Sequence, residues 1–141
     1  MHSLGSLIHP APAALFAVFK SDCPTSQFSL VYLNNLIEAI PELPFIGVSQ
    51  DDAAETADFL ENWGTRFSLV LYDPDPYVLS DALGISNVPA LFLVSGNGTV
   101  LESDFGYSAA FWEKLAQKSA EEFGRRIGSI VPTDAPRWAA G

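Results

Sequence analysis

The sequence predicts an α/β domain: a central mixed β-sheet flanked by helices on both faces. Three observations lead there. Residues 13–19 (AALFAVF) form an unbroken apolar run, the pattern of a strand buried on both sides. Pro24 follows closely and opens a helical apolar repeat, so strand and helix make the first half of a parallel crossover. Further on, two strand-like runs flank Ser95-Gly96-Asn97-Gly98, a strong hairpin signal.

The elements follow in order. The first strand stops at Lys20-Ser21-Asp22. Pro24 suits the first helical position, where its missing N–H costs nothing. Phe28, Val31, Tyr32, Leu36 and Ile40 then repeat at helical spacing until Pro41 ends the helix. Residues 44–49 (PFIGVS) read as a second buried strand. Asp52 with Glu55 resembles a capping box for a helix expected to bury Ala53, Ala57, Leu60 and Trp63 and to stop at Gly64. Residues 67–72 form a short strand before the turn Asp73-Pro74-Asp75-Pro76, and a brief helix runs to Leu83, closed by Gly84. Residues 90–94 and 99–103 are the hairpin strands. Ser108 caps a last helix that buries Trp112, Leu115, Ala116 and Phe123, with Gly124 as its stop. This gives a single domain over residues 1–124 and an extended tail over 125–141, with Trp138 either strapped onto an apolar patch or left as a partner contact.

Composition narrows the function. The chain of 141 residues is 48% hydrophobic, enough for one domain with a real core. The net charge is −10, and residues 1–113 carry only Lys20 and Arg66 as bases. An acidic body of this kind repels phosphate backbones and anionic lipid, so neither nucleic acid nor a membrane surface is expected as a partner. The apolar stretch at 11–19 is too short to cross a bilayer, and residues 1–10 lack the bases of a signal peptide. The one cysteine excludes an internal disulfide and points to the cytoplasm; a leader upstream of these residues would place the protein outside. His2 and His9 lie in a weakly patterned segment and read as surface residues. One cysteine and two histidines give no metal-ligand spacing, and no metal or cofactor is expected. Asp51, Asp52, Asp73 and Asp75 read as caps and turns.

The chemistry centres on Cys23, placed at the N-cap of the first helix and at the carboxyl edge of the first strand, where open α/β sheets carry their sites. Amides of Thr25 and Ser26 can reach its sulfur, and the helix dipole favours a negative charge there. The thiolate so favoured is the nucleophilic form. Asp22 opposes it, and Lys20 offsets Asp22.

Residues 19–26 (FKSDCPTS) resemble the active-site segment of the thioredoxin superfamily, in its TlpA-like or redoxin (AhpC/TSA-related) branch. Further pieces fall in the same order: residues 45–51 (FIGVSQD), 63–67 (WGTRF), 71–75 (LYDPD), 87–94 (NVPALFLV) and the hairpin at 96–100. The likeness covers roughly residues 11–118. It implies that Cys23 is the attacking thiol, with Pro24 and Thr25 between the two thiol positions. It also implies a cis peptide from Val88 to Pro89, with Pro89 against Cys23 and the Val88 backbone open to an extended peptide. The departures are equally specific. Ser26 stands where the second cysteine belongs, Ala17 where thioredoxins carry a buried acid, and Ser29 where several TlpA-like reductases carry another.

A self-contained dithiol reductase is therefore excluded. A monothiol redox protein is expected, exchanging with a protein or low-molecular-weight thiol or disulfide, glutathione among them, through mixed disulfides that an outside thiol resolves. Ser26 then either stabilises the thiolate or simply makes the site monothiol. The alternative is a catalytically idle binding module using the groove between Cys23 and Pro89. A one-cysteine peroxidase fits worse: peroxiredoxins place Thr or Ser three residues before the reactive cysteine and Pro seven before, where this chain has Lys20 and Phe16.

Overall fold

The fold is described by a computed structural model over residues 11–141; His2 and His9 lie outside the described residues. Strand β1 (Ala13–Phe19) is central and buried along its whole length. It pairs in parallel with β2 (Phe45–Ser49) and antiparallel with β4 (Ala90–Ser95). With β3 (Leu69–Tyr72) and β5 (Val100–Phe105) at the edges, the order is β3-β2-β1-β4-β5, a five-stranded mixed sheet. A second, two-stranded sheet pairs β6 (Tyr107–Ser108) with β7 (Trp138–Ala139).

Side-chain alternation along β1 divides the core. Ala13, Leu15, Ala17 and Phe19 join the larger cluster, built with Leu30, Leu33, Leu36, Trp112 and Leu115. These come from α1 (Pro24–Ser29), the 3-10 turn 30–32, α2 (Leu33–Ala39) and α5 (Ala109–Glu122). Ala14, Phe16 and Val18 face the other way. There Leu79 and Leu83, in and just after α4 (Val78–Ala82), join them around an apolar cavity of about 240 Å³. Gly47 is dictated by packing: a Cβ there would sit 2.8 Å from the Phe67 ring, which stacks on Phe19 at 5.1 Å.

Two sequence expectations are corrected. The single helix from Pro24 to Ile40 is broken into α1, a 3-10 turn and α2. The Ser29 hydroxyl donates to the Thr25 carbonyl at 2.5 Å, a back-bond that competes with regular helical geometry. The break changes the phase, so Leu30 and Leu33 are fully buried while Val31 is only half-buried.

The helix α3 (Ala53–Trp63) also turns a different face inward: Thr56 and Phe59 are buried, Leu60 is partly so, and Ala53, Ala57 and Trp63 are exposed. Thr56 is drawn in by a 2.6 Å hydrogen bond with Ser49 Oγ, and Phe59 by the Phe19 ring at 4.8 Å. Asp52 caps this helix by accepting from the Glu55 amide.

Residues 125–141 are bound to the body of the protein. Ile130 and Val131 are buried in the main core, and the Ile130 carbonyl accepts from Asn35 Nδ2 at 2.8 Å. Trp138, by contrast, stays 71% exposed.

Candidate active site

The first crossover places Cys23 at the carboxyl end of β1, as the N-cap of α1. Lys20 O accepts from the Cys23 amide at 3.1 Å, closing the turn that leads out of the strand. The side chain is half-buried, with exposed Asp22 and Pro24 on either side in sequence. Of the two amides expected at the sulfur, that of Ser26 donates to it at 3.5 Å; Thr25 makes no such bond. The thiol in turn donates to the Val88 carbonyl at 3.4 Å. The peptide bond from Val88 to Pro89 is cis.

Ser26 is fully buried, and its hydroxyl has no hydrogen-bond partner among the described residues. It therefore neither caps the helix through its side chain nor touches the sulfur through a hydrogen bond. Thr25, also buried, donates to the Ala140 carbonyl at 2.5 Å. Ala17 is fully buried, and the Ser29 hydroxyl is spent on its own helix.

Beside Cys23 lies a cavity of about 470 Å³, lined by Lys20, Gln50, Tyr77, Asn87 and Val88 among others. Lys20 donates to the Tyr77 hydroxyl at 3.2 Å and pairs with Asp51 at 3.5 Å. The Tyr77 bond lifts the Lys20 pKa; partial burial lowers it, and nearby Asp51 and Asp22 add to the rise. The cation also sits 5.4 Å from the Tyr77 ring centre. Asp51 is nearly buried and accepts from the Ser21 amide at 2.6 Å, tying the loop before Cys23 to the end of β2. Tyr77 adopts a left-handed backbone (φ 55), a conformation that aromatic residues seldom take. Asp73 fixes the following helix, accepting from the amides of Leu79 and Ser80 and from Ser80 Oγ.

Of the residues that sequence reasoning reached, Lys20, Cys23, Pro24 and Val88 line the cavity, whereas Thr25 bonds Ala140 and Pro89 follows Val88 across the cis peptide. Asp22 points its chain toward no hydrogen-bond partner among the described residues and acts on the site only through its charge on Lys20. The sequence reading missed Tyr77, Gln50, Gly106 and the Ala140-Gly141 end. Their only local signals are turn residues, which say nothing about what they fold against. It also missed that the Val88 backbone is faced by Gly141: a Cβ on Gly141 would collide with the Val88 carbonyl. Among the described residues no group of three His, Cys, Asp or Glu side chains is placed to hold a metal. No described helix is long and apolar enough to cross a membrane.

No protein-family profile matches the chain. Its sequence is similar to the thiol:disulfide interchange protein DsbE of Escherichia coli K12, with 27% identity over 113 residues, covering 79% of this chain and 60% of the relative. The chain thus spans about 60% of the length of the curated relatives it matches. Among solved structures it resembles a Chlorobium tepidum protein assigned as a DsbE-type thiol:disulfide interchange protein. That likeness has a TM-score of 0.74 and 22% identity, covering 84% of each chain. It also resembles a secreted Mycobacterium tuberculosis disulfide oxidoreductase homologous to E. coli DsbE. There the TM-score is 0.64 and the identity 20%, covering 78% of this chain and 81% of the other. Fold and sequence together give this chain a thioredoxin-like fold and a sequence similar to the DsbE-type thiol:disulfide interchange proteins.

Proposed function

We propose that this chain carries out thiol–disulfide exchange through Cys23 alone. The observation that carries the proposal is the position of the sulfur: half-buried at the start of α1, within reach of the Ser26 amide and the Val88 carbonyl. The homology to DsbE-type proteins supports it.

The step balances as follows. The Cys23 thiol loses its proton to solvent, and the thiolate attacks one sulfur of a partner disulfide. A new S–S bond joins Cys23 to that sulfur; the old bond breaks, and the second partner sulfur leaves as a thiolate with the electron pair. Ser26 has no sulfur with which to reverse this, so a second thiol from outside, of a protein or of the glutathione class, attacks the mixed disulfide. That attack releases Cys23 as thiolate and leaves the outside thiol disulfide-bonded to the partner; a further outside thiol attacks that bond, freeing the partner's remaining thiolate and leaving the two outside thiols joined. Across the cycle the partner disulfide is reduced and two external thiols are oxidised.

The test is trapping. A peptide carrying an activated (2-thiopyridyl) cysteine should form a one-to-one adduct with the chain, mapped to Cys23 by mass spectrometry and released by glutathione. No adduct under conditions that modify free cysteine contradicts the proposal.

A second reading is a binding module, favoured by one observation: Thr25 bonds the Ala140 carbonyl and Gly141 lies close against the Val88 backbone, neither contact using sulfur. Partner capture that survives Cys23→Ala supports it over exchange.

A further inference from the structure

The chain runs on from the end of β7 into Ala140 and Gly141, and these residues reach the site. Each step of the path is fixed. The Tyr107 hydroxyl donates to the Pro136 carbonyl at 2.7 Å, and the Ala109 amide to the Arg137 carbonyl at 2.9 Å. Ala139 lies opposite Tyr107 and Trp138 opposite Ser108. The Ala140 carbonyl then accepts from Thr25 Oγ1, on the helix that Cys23 caps. Gly141 comes so close to the Val88 backbone that no side chain fits there, and it helps line the cavity beside Cys23. Gly106 makes room from below: a Cβ on it would sit 3.2 Å from the Ala139 carbonyl and 3.4 Å from the Gly141 nitrogen.

Ala140 and Gly141 thus bridge the two walls of the site, from Thr25 on one side to Val88 on the other. They do so with only a methyl group and a hydrogen as side chains. Trp138 is mostly exposed and holds its place through its pairing with Ser108.

We propose that residues 138–141 are a built-in occupant of the groove between Thr25 and Val88, an intramolecular competitor for extended peptides presented to Cys23. This inference rests on the exchange reading above for its functional consequence, though not for the occupancy itself. An incoming peptide would need the Thr25 hydroxyl that Ala140 occupies and the space at the Val88 backbone that Gly141 fills. The groove accordingly selects extended segments with a very small residue opposite Val88, and the strap slows exchange with peptides while sparing small disulfides.

The experiment compares the full chain with Gly141→Val, whose added side chain clashes with the Val88 carbonyl and expels the end of the strap. Both are reacted with 2,2′-dithiodipyridine and with a small-residue peptide carrying a 2-thiopyridyl cysteine. Gly141→Val should raise the ratio of the peptide rate to the small-disulfide rate about fivefold, the factor that one net hydrogen bond supplies. The free amidated peptide Arg-Trp-Ala-Ala-Gly should return the variant's peptide rate toward that of the parent. Equal ratios in the two chains overturn the strap. If neither reagent reacts with either chain, exchange at Cys23 fails, and the strap is judged by backbone NMR. Resonances of Thr25 and Val88 that shift in Gly141→Val and are restored by the free peptide uphold it; unshifted resonances overturn it.

Discussion

The thiol of Cys23 lies 3.4 Å from the carbonyl oxygen of Val88, a residue 65 positions further along the chain. The two meet because β1 and β4 are antiparallel neighbours, with Val18 opposite Ala90. The segment leaving β1 and the segment entering β4 therefore emerge at the same edge of the sheet. The site is a consequence of that register.

Ser26 makes the first prediction. Its hydroxyl is buried without a partner, and an unsatisfied buried polar group costs about 1–3 kcal/mol. Sulfur hydrogen-bonds weakly and tolerates such surroundings. Ser26→Cys should therefore hold or raise the urea midpoint, by up to about 1 kcal/mol. Upon oxidation it should lose two mass units as a disulfide forms with Cys23, and it should gain dithiol reductase activity toward a model disulfide. A variant that forms the disulfide but shows no gain would assign the missing activity to Ala17, Ser29 or the groove.

Asp73 makes the second. Burial pushes its carboxyl up, but hydrogen bonds from Ser80 Oγ and the amides of Leu79 and Ser80 outweigh that and hold it below the ordinary aspartate value. A depressed folded value means stability that is present above the unfolded pKa and lost as pH falls through the folded one. The loss belongs below about pH 4. Asp73→Asn should cost on the order of 1–3 kcal/mol at pH 7 and flatten the acid limb of the stability profile. Urea melts at pH 7 and pH 3 measure both.

The rotated face of α3 makes the third. Phe59 packs on Phe19 with 2% exposure, whereas Trp63 is 42% exposed. Phe59→Ala should cost about 3–5 kcal/mol, and Trp63→Ala no more than about 0.5 kcal/mol, as at an ordinary surface position. Reversed values would restore the phase the sequence suggested.

Much of the fold was legible because strong local signals coincide with it. The unbroken run in β1, Pro24, the Asp52 and Ser108 caps and the Ser95–Gly98 turn each act within a few residues. Helix phase was not legible for α3. Ala53, Ala57, Leu60 and Trp63 form a plausible apolar stripe, and only the Ser49–Thr56 hydrogen bond and the Phe19 ring select the neighbouring face. The break after Ser29 depends on a side-chain bond that no periodicity encodes. At the site, Cys23 and Pro89 carry recognisable neighbours, whereas what Tyr77 and Gly141 face is set by tertiary contacts with Lys20 and Val88.

Glutathione-dependent turnover tests the central claim most directly. With a disulfide-bonded peptide as substrate, the chain should accelerate reduction in proportion to its concentration, with no turnover in the absence of glutathione and none in Cys23→Ser. That variant should keep its fold, since serine is itself a good helix N-cap. A rate equal to that of glutathione alone, or one unchanged in Cys23→Ser, would contradict exchange through this sulfur.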